Sequence, residues 1–243
     1  MELLAGTSGY SYKEWKGSFY PEKLPADGML RYYAERFPTV EINNTFYRMP
    51  GEGMLSRWAD EVPADFAFTL KAPRRITHDK RLKDTGAEVG ELLRRVARLG
   101  SKLGPLLFQL PPSQKKDLAV LRDFLDGLPP GRQIAFEFRH PTWHDEEVYE
   151  ALRTHDAMLC AADTDEGESP PLVATARVGY LRLRRAGYSD RDLKDWMERI
   201  AAQPWERAYV YFKHEDEGLG PKFAARFARL WEAARGTGKK ASP

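Results

Sequence analysis

Short runs in which apolar or β-branched residues alternate with polar ones recur along this chain. Longer segments separate them, with apolar residues repeating every three to four positions. The first pattern predicts strands and the second amphipathic helices. Strand-type runs lie at residues 3–9, 39–47, 66–73, 104–111, 133–140, 157–164, 177–185 and 207–215. Helical patterns fill the intervals at 28–37, 54–62, 86–103, 116–128, 145–155 and 190–202, and a last one at 221–235 follows the eighth strand.

Strands that alternate with helices pair in parallel, because parallel neighbours need a crossover long enough to hold a helix. Eight such units in 243 residues predict a closed (β/α)8 barrel of the TIM type. One link is irregular: 165–176 is rich in Pro, Gly and acidic residues and leaves little room for a helix. A doubly wound open sheet is the alternative, but Gly6-Thr-Ser-Gly9 lacks the Gly-x-Gly-x-x-Gly spacing of its first turn. No linker divides the chain, so 1–235 is expected to form one barrel domain and 236–243 a flexible polar tail.

Along a strand, side chains alternate between the barrel axis and the helix layer. Here one parity carries an unusual load of polar groups: Glu41, Asn43 and Thr45; Thr69 and Lys71; Gln109; Glu137 and Arg139; Arg182 and Arg184; Tyr211 and Lys213. Asp163 ends the sixth strand. The other parity (Val40, Ile42, Leu70, Phe136, Phe138, Leu181, Leu183, Val210, Phe212) is apolar and suits packing against helices. Charged groups inside a barrel are costly unless paired or solvated, and this fold builds its active sites at the C-terminal strand ends. A convergent polar pocket is therefore expected there. The competing reading is an internal ion-pair network that only fills the barrel, although such pairs often add little stability.

Composition removes several functional classes. A 42% hydrophobic and 30% charged content is ordinary for a globular chain, and the net charge of +2 gives no global drive toward nucleic acid. The lone Cys160, in an apolar run, excludes a disulfide framework or a Cys-based zinc site and reads as a small core residue. The first residues do not have the form of a signal peptide, and no run approaches the roughly 18 apolar residues that cross a bilayer. The protein is expected to be cytoplasmic, with no membrane partner. The five histidines (78, 140, 144, 155, 214) show no metal-binding spacing, so neither metal nor cofactor is expected.

Five motifs occur in order. They are Gly6-Thr-Ser-Gly-Tyr-Ser-Tyr-Lys-Glu-Trp-Lys-Gly17 with Phe19-Tyr-Pro21, Val40-Glu-Ile-Asn-Asn-Thr-Phe-Tyr-Arg-Met-Pro50, Lys71-Ala-Pro-Arg-Arg-Ile-Thr-His78, Leu106-Leu-Phe-Gln-Leu-Pro-Pro112, and Phe136-Glu-Phe-Arg-His140 with Trp143. Together the set resembles the YecE-like family, a domain of unknown function numbered seventy-two in that series. The resemblance implies a TIM-type barrel over nearly the whole chain and no settled activity. Strand seven of that family often ends Arg-Leu-His-Gly, whereas this chain reads Arg182-Leu-Arg-Arg185. Strand eight often ends Asn-Asn-Asp, whereas here it is Lys213-His-Glu215. Both departures add positive charge at the rim.

The leading expectation is an enzyme acting on a small anionic substrate, phosphorylated or carboxylated and sugar- or nucleotide-like. Glu41 and Glu137 handle protons, with Lys71 beside them as a third catalytic candidate. Arg139, Lys71, Arg182 and Lys213 hold the anion, and Asn43 and Gln109 orient it, with Asp163 and Tyr211 completing the binding set. Lys71 or Lys213 also has the chemistry for a Schiff base, though anion binding is the commoner role. Facing carboxylates suit glycoside hydrolysis, yet adjacent cations lower their pKa values and oppose a general-acid role. The alternatives are a nucleic-acid-binding or -processing barrel using Arg48, Arg74, Arg75, Arg184 and Arg185, and a small-ligand-binding protein without catalysis. The loop 215–221, with Gly-bearing turn and Pro221 at a helix start, is a further anion candidate. Oligomeric state is not legible.

Overall fold

The computed structural model describes residues 1–166, 171–213 and 218–238, with side chains through Arg235. Eight parallel strands form a closed barrel in the order β1 to β8: Glu2–Ser8, Thr39–Ile42, Ala67–Lys71, Leu103–Gln109, Ile134–Glu137, Met158–Asp163, Val178–Leu183 and Arg207–Phe212. β8 pairs with β1 over Glu2↔Arg207 to Thr7↔Phe212, which closes the ring. Helices α1 (Met29–Ala34), α2 (Glu52–Glu61), α3 (Gly86–Val96), α4 (Leu118–Asp126), α5 (Glu146–Thr154), α6 (Asp190–Ala201) and α7 (Leu219–Gly238) cover the outside. Among the described residues the β6–β7 link carries no helix, in keeping with its composition. α7 runs into the segment expected to be a tail, and 239–243 lie outside the described residues.

The strands end earlier than the periodicity suggests. β2 stops at Ile42, because Asn43 takes a helical conformation (φ −94°, ψ −21°) and opens the turn Asn44–Phe46. β5 stops at Glu137. Asn43, Arg139 and Lys213 therefore sit just beyond their strands, where the chain leaves the ladder and turns outward over the mouth.

Two apolar layers follow from the alternation. Val40, Ile42, Phe68, Leu70, Phe108, Phe136, Leu181, Leu183 and Val210 join the large core between sheet and helices. Inside the barrel lies a smaller cluster of Leu4, Leu107, Ala135, Met158, Cys160, Tyr180, Tyr209 and Tyr211. Cys160 is thus a buried core residue. The tyrosine rings meet within the bore, Tyr209 stacked on Tyr211 at 6.3 Å between centroids and Tyr180 tilted against Tyr211 at 5.4 Å. Together with this cluster, Thr39 and Thr69 floor the polar region above. α6 is anchored by a capping box in which Ser189 and Asp192 satisfy each other's backbone N–H groups. No described helix is long and apolar enough to cross a membrane.

Candidate functional site

Arg182, on β7, points along the axis and is only 2% exposed. Its fork joins two carboxylates from distant strands. Nη1 donates to Glu137 Oε2 at 2.5 Å, and Nη2 donates to Glu41 Oε1 at 2.8 Å. Nη2 also lies 3.5 Å from Asn43 Oδ1. Glu41 accepts further bonds from Ser8 Oγ (2.6 Å), Tyr180 OH (2.6 Å) and Asn43 Nδ2 (3.2 Å). Glu137 receives Arg139 Nε at 3.1 Å. Burial on its own pushes both carboxyls up, but the opposing guanidinium charge and these donors reverse the sign. Glu41 is held below the usual carboxylate value by Arg182, Ser8 and Tyr180, and Glu137 far below it by Arg182 and Arg139. The two glutamates are fixed anions, so neither is suited to be the general acid that glycoside hydrolysis needs.

The charge above this layer is mixed: Lys71, Arg139 and Arg184 stand there, and Asp165 and Glu166 share the cavity lining with the two arginines. Lys71 Nζ donates to Gln109 Oε1 at 2.7 Å and stands 4.0 Å over the Phe46 ring. Among the described residues it makes no ion pair, and Glu41 and Glu137 are engaged by Arg182 and Arg139. Burial and the neighbouring Arg182 charge push its amine down to about 8. Arg184, two residues after Arg182 on the same face, has a buried Nε with no hydrogen-bond partner among the described residues. Burial and the Arg182 charge lower its pKa as well. Arg184, Arg139, Glu137, Phe138, His144 and Thr164 help line a cavity of about 820 Å³ above β5 to β7. His144 is held below its ordinary pKa by burial, and its Nδ1 has no hydrogen bond. His78 packs edge-on against Phe46 (4.8 Å) and is lowered first by burial and then by Lys71 and Arg74.

The structure brings Glu41, Asn43, Lys71, Gln109, Glu137, Arg139 and Arg182 into one neighbourhood. Lys213 follows β8 with the same parity as Tyr211, and its N–H donates to Leu183 O. Two expected binding residues lie elsewhere. Asp163 has the opposite parity: its register partner is Leu183, whereas Ala162 faces Arg182. Its Oδ2 accepts from Tyr188 OH (2.9 Å) and Trp196 Nε1 (3.1 Å) and pairs with Arg185 (2.9 Å) in the helix layer. Tyr211 is fully buried within the bore, its hydroxyl shared with Thr39 Oγ1 (2.8 Å) and Thr69 Oγ1 (2.7 Å), below the reach of a ligand. Arg74 and Arg75 are paired with Asp79 and Glu88. His214 and 215–217 lie outside the described residues.

Sequence reasoning passed over Ser8 and Tyr180 as site residues, and weighed His144 only as one of the scattered histidines. Ser8 is in register with Glu41, and Tyr180 shares the parity of Arg182, so both were recoverable once the strands were aligned. The aromatic first loop is mostly local core, with Trp15 and Tyr20 buried and stacked at 6.0 Å. Gly9 is required at its start. It has φ +95°, and a Cβ there would meet the Tyr12 hydroxyl at 2.4 Å. Tyr12 OH in turn donates to Ser8 O at 2.8 Å.

Residues 4–243 match the family described as a protein of unknown function, DUF72. This chain belongs to DUF72. It is 35% identical over 240 residues to the UPF0759 protein YecE of Escherichia coli (strain K12), covering 86% of each chain. It is 26% identical over 221 residues to the UPF0759 protein YunF of Bacillus subtilis (strain 168), covering 83% of this chain and 76% of that one. A crystal structure of a DUF72 family protein from Thermotoga maritima superposes with a TM-score of 0.83 at 28% identity, covering 96% of this chain and 100% of its own. DUF72 membership and the closed barrel agree with the fold expected from the strand count. The family description assigns no activity.

Proposed function

We propose that the barrel mouth binds a small anionic ligand, phosphorylated or carboxylated, and presents it to Lys71. The observation that carries this reading is Arg184. A largely buried guanidinium with an unsatisfied Nε is costly, and here it stands beside Arg139 on an open cavity. A bound oxyanion supplies an acceptor for that group and pairs with the guanidinium forks of Arg139 and Arg184. In this reading Glu41 and Glu137 are counter-ions that fix Arg182 and through it the shape of the site. Proton handling falls to Lys71, whose amine titrates near neutral pH, and not to the glutamates. Gln109 holds Lys71, and Asn43 braces the Arg182–Glu41 contact. Binding along a nucleic-acid backbone draws less support, because Arg74, Arg75 and Arg185 are already neutralised by acids.

Calorimetric titration with inorganic phosphate, sulfate, sugar phosphates and nucleotides tests the proposal. Saturable binding of at least one of these anions, weakened by Arg184→Gln, is the expected result. Anion binding that the variant leaves unchanged, or no binding at all, removes it.

A further inference from the structure

Lys71 differs from the other basic groups of the site in one respect that anion binding does not require. It closes β3 at the C-terminal rim of the barrel. Its amine is held by a neutral amide oxygen, Gln109 Oε1 at 2.7 Å, and by the face of Phe46 at 4.0 Å. No carboxylate is within ion-pair reach of it among the described residues. Both nearby carboxylates are engaged by arginine: Glu41 by Arg182 at 2.8 Å, and Glu137 by Arg182 at 2.5 Å and Arg139 at 3.1 Å. A lysine half-buried on an aromatic ring, beside Arg182 and Arg139 and with no carboxylate in direct ion-pair contact among the described residues, is an arrangement that frees an amine lone pair for attack. A lysine that served only to bind an anion gains from staying charged, and an acidic neighbour would keep it so.

We propose that Lys71 is a catalytic nucleophile that forms an imine with a small anion bearing an aldehyde or ketone, such as a 2-oxo acid or a phosphorylated carbonyl compound. This rests on the reading that the mouth holds an anion. The neutral amine attacks the carbonyl carbon, a C–N bond forms, and the carbonyl π pair moves to oxygen. Both amine hydrogens then leave with that oxygen as one water, giving C=N. No oxidant, reductant or metal enters the step. The oxyanion of the ligand is held by Arg139 and Arg184, which leaves the carbonyl end to Lys71. The amine titrates at about 8, so a usable neutral fraction exists at neutral pH. His78 packs on the same Phe46 ring and is lowered by burial and by the Lys71 charge. A neutral imidazole there is a base that can help take up the proton released from the amine.

The test is reductive trapping. The full-length protein is incubated at pH 7 with glyoxylate, with pyridoxal 5′-phosphate and, as an uncharged control, with propionaldehyde. Sodium borohydride is then added and the adducts are located by peptide mapping. Both anions are expected to label Lys71 at least ~10-fold faster than any surface lysine, the advantage of a pKa lowered by more than one unit. Inorganic phosphate should slow labelling by the two anions. Propionaldehyde gains only from the lowered pKa and not from the anion site, so it should label Lys71 more slowly than either anion and without a phosphate effect. Gln109→Glu places a carboxylate against Nζ, which raises the amine pKa by about one to three units. It should slow trapping ~10-fold or more while circular dichroism and a cooperative melting transition show the fold retained. That result separates chemistry from misfolding. Label spread evenly over surface lysines, or a Gln109→Glu variant trapped at the wild-type rate, overturns the imine. Labelling of Lys71 by propionaldehyde as fast as by the anions overturns the anionic substrate class. If phosphate binds in calorimetry while Lys71 stays unlabelled, only the imine falls. If neither occurs, the anion site falls with it.

Discussion

Replacing Arg182 with methionine is the most informative perturbation of the buried layer. Methionine fills comparable length without charge, so the change leaves Glu41 and Glu137 inside the barrel with their shared partner gone. Glu41 keeps Ser8, Tyr180 and Asn43, and Glu137 keeps the Arg139 contact. Breaking a buried pair by removing one partner costs about 3–5 kcal/mol. With two carboxylates affected and several donors remaining, a loss of about 4 kcal/mol at pH 7.5 is expected, equivalent to roughly 8–16 °C in melting temperature for a chain of this size. The pH dependence has a definite sign. In the wild type both carboxyls titrate below their unfolded value. Their contribution is therefore complete above the ordinary carboxylate range near 4.5 and is lost as pH falls through the lowered values. In Arg182→Met burial is no longer opposed and both pKa values rise, so protonation relieves the variant as the solution is acidified. Melting followed by tryptophan fluorescence should show a gap between the proteins that narrows from pH 7.5 to pH 5. A loss under about 1 kcal/mol, or a gap that does not change with pH, would refute the view of Arg182 as the hub.

Arg139 is 36% exposed and Glu137 keeps Arg182 without it, so Arg139→Ala should cost less than about 1 kcal/mol of stability. The same variant should lose roughly tenfold or more in phosphate affinity by calorimetry. Because the Lys71 amine is lowered from 10.5 to about 8, phosphate affinity should decline as pH rises beyond about 8. Between about 8 and 10.5 the unfolded chain binds more protons at this residue, so its contribution to stability rises with pH. Lys71→Met should flatten both trends. Asp163→Ala removes the acceptor shared by Tyr188, Trp196 and Arg185 and should cost about 2–3 kcal/mol in urea unfolding. Phosphate affinity should be unchanged in that variant, because Asp163 faces the helix layer.

Much of the molecule was legible from periodicity alone. Strand and helix alternation set the barrel, and shared parity put Glu41, Lys71, Gln109, Glu137, Arg139 and Arg182 on one face, where the structure gathers them in one neighbourhood. Four features were not legible, each for a physical reason. Strand ends were overextended at β2, β5 and β8, because apolar alternation continues into rim loops after the ladder has run out of partners. Asp163 was placed in the site because it ends a strand, although Cys160 and Asp163 are an odd number of residues apart and so face opposite sides. Which arginine is central could not be read from spacing. Arg139 lies beside Glu137 in sequence, but only Arg182 lies across the bore from both glutamates, and that depends on barrel closure. The cavity beside Arg184, whose Nε finds no hydrogen-bond partner among the described residues, likewise depends on how loops leave the sheet.

The central claim is that the mouth of this barrel is an anion site completed by Arg184 and Arg139. It is met most directly by measuring the melting temperature across a phosphate titration, for the wild type and for the Arg139→Gln/Arg184→Gln double variant. Binding to the folded state alone adds about 2.7 kcal/mol at one hundred times the dissociation constant, which is roughly 5–11 °C for a chain of this length. The wild type should show a saturable rise of that order and the double variant almost none, at unchanged ionic strength. Equal rises in the two proteins, or a rise that follows ionic strength and not phosphate, contradict the account.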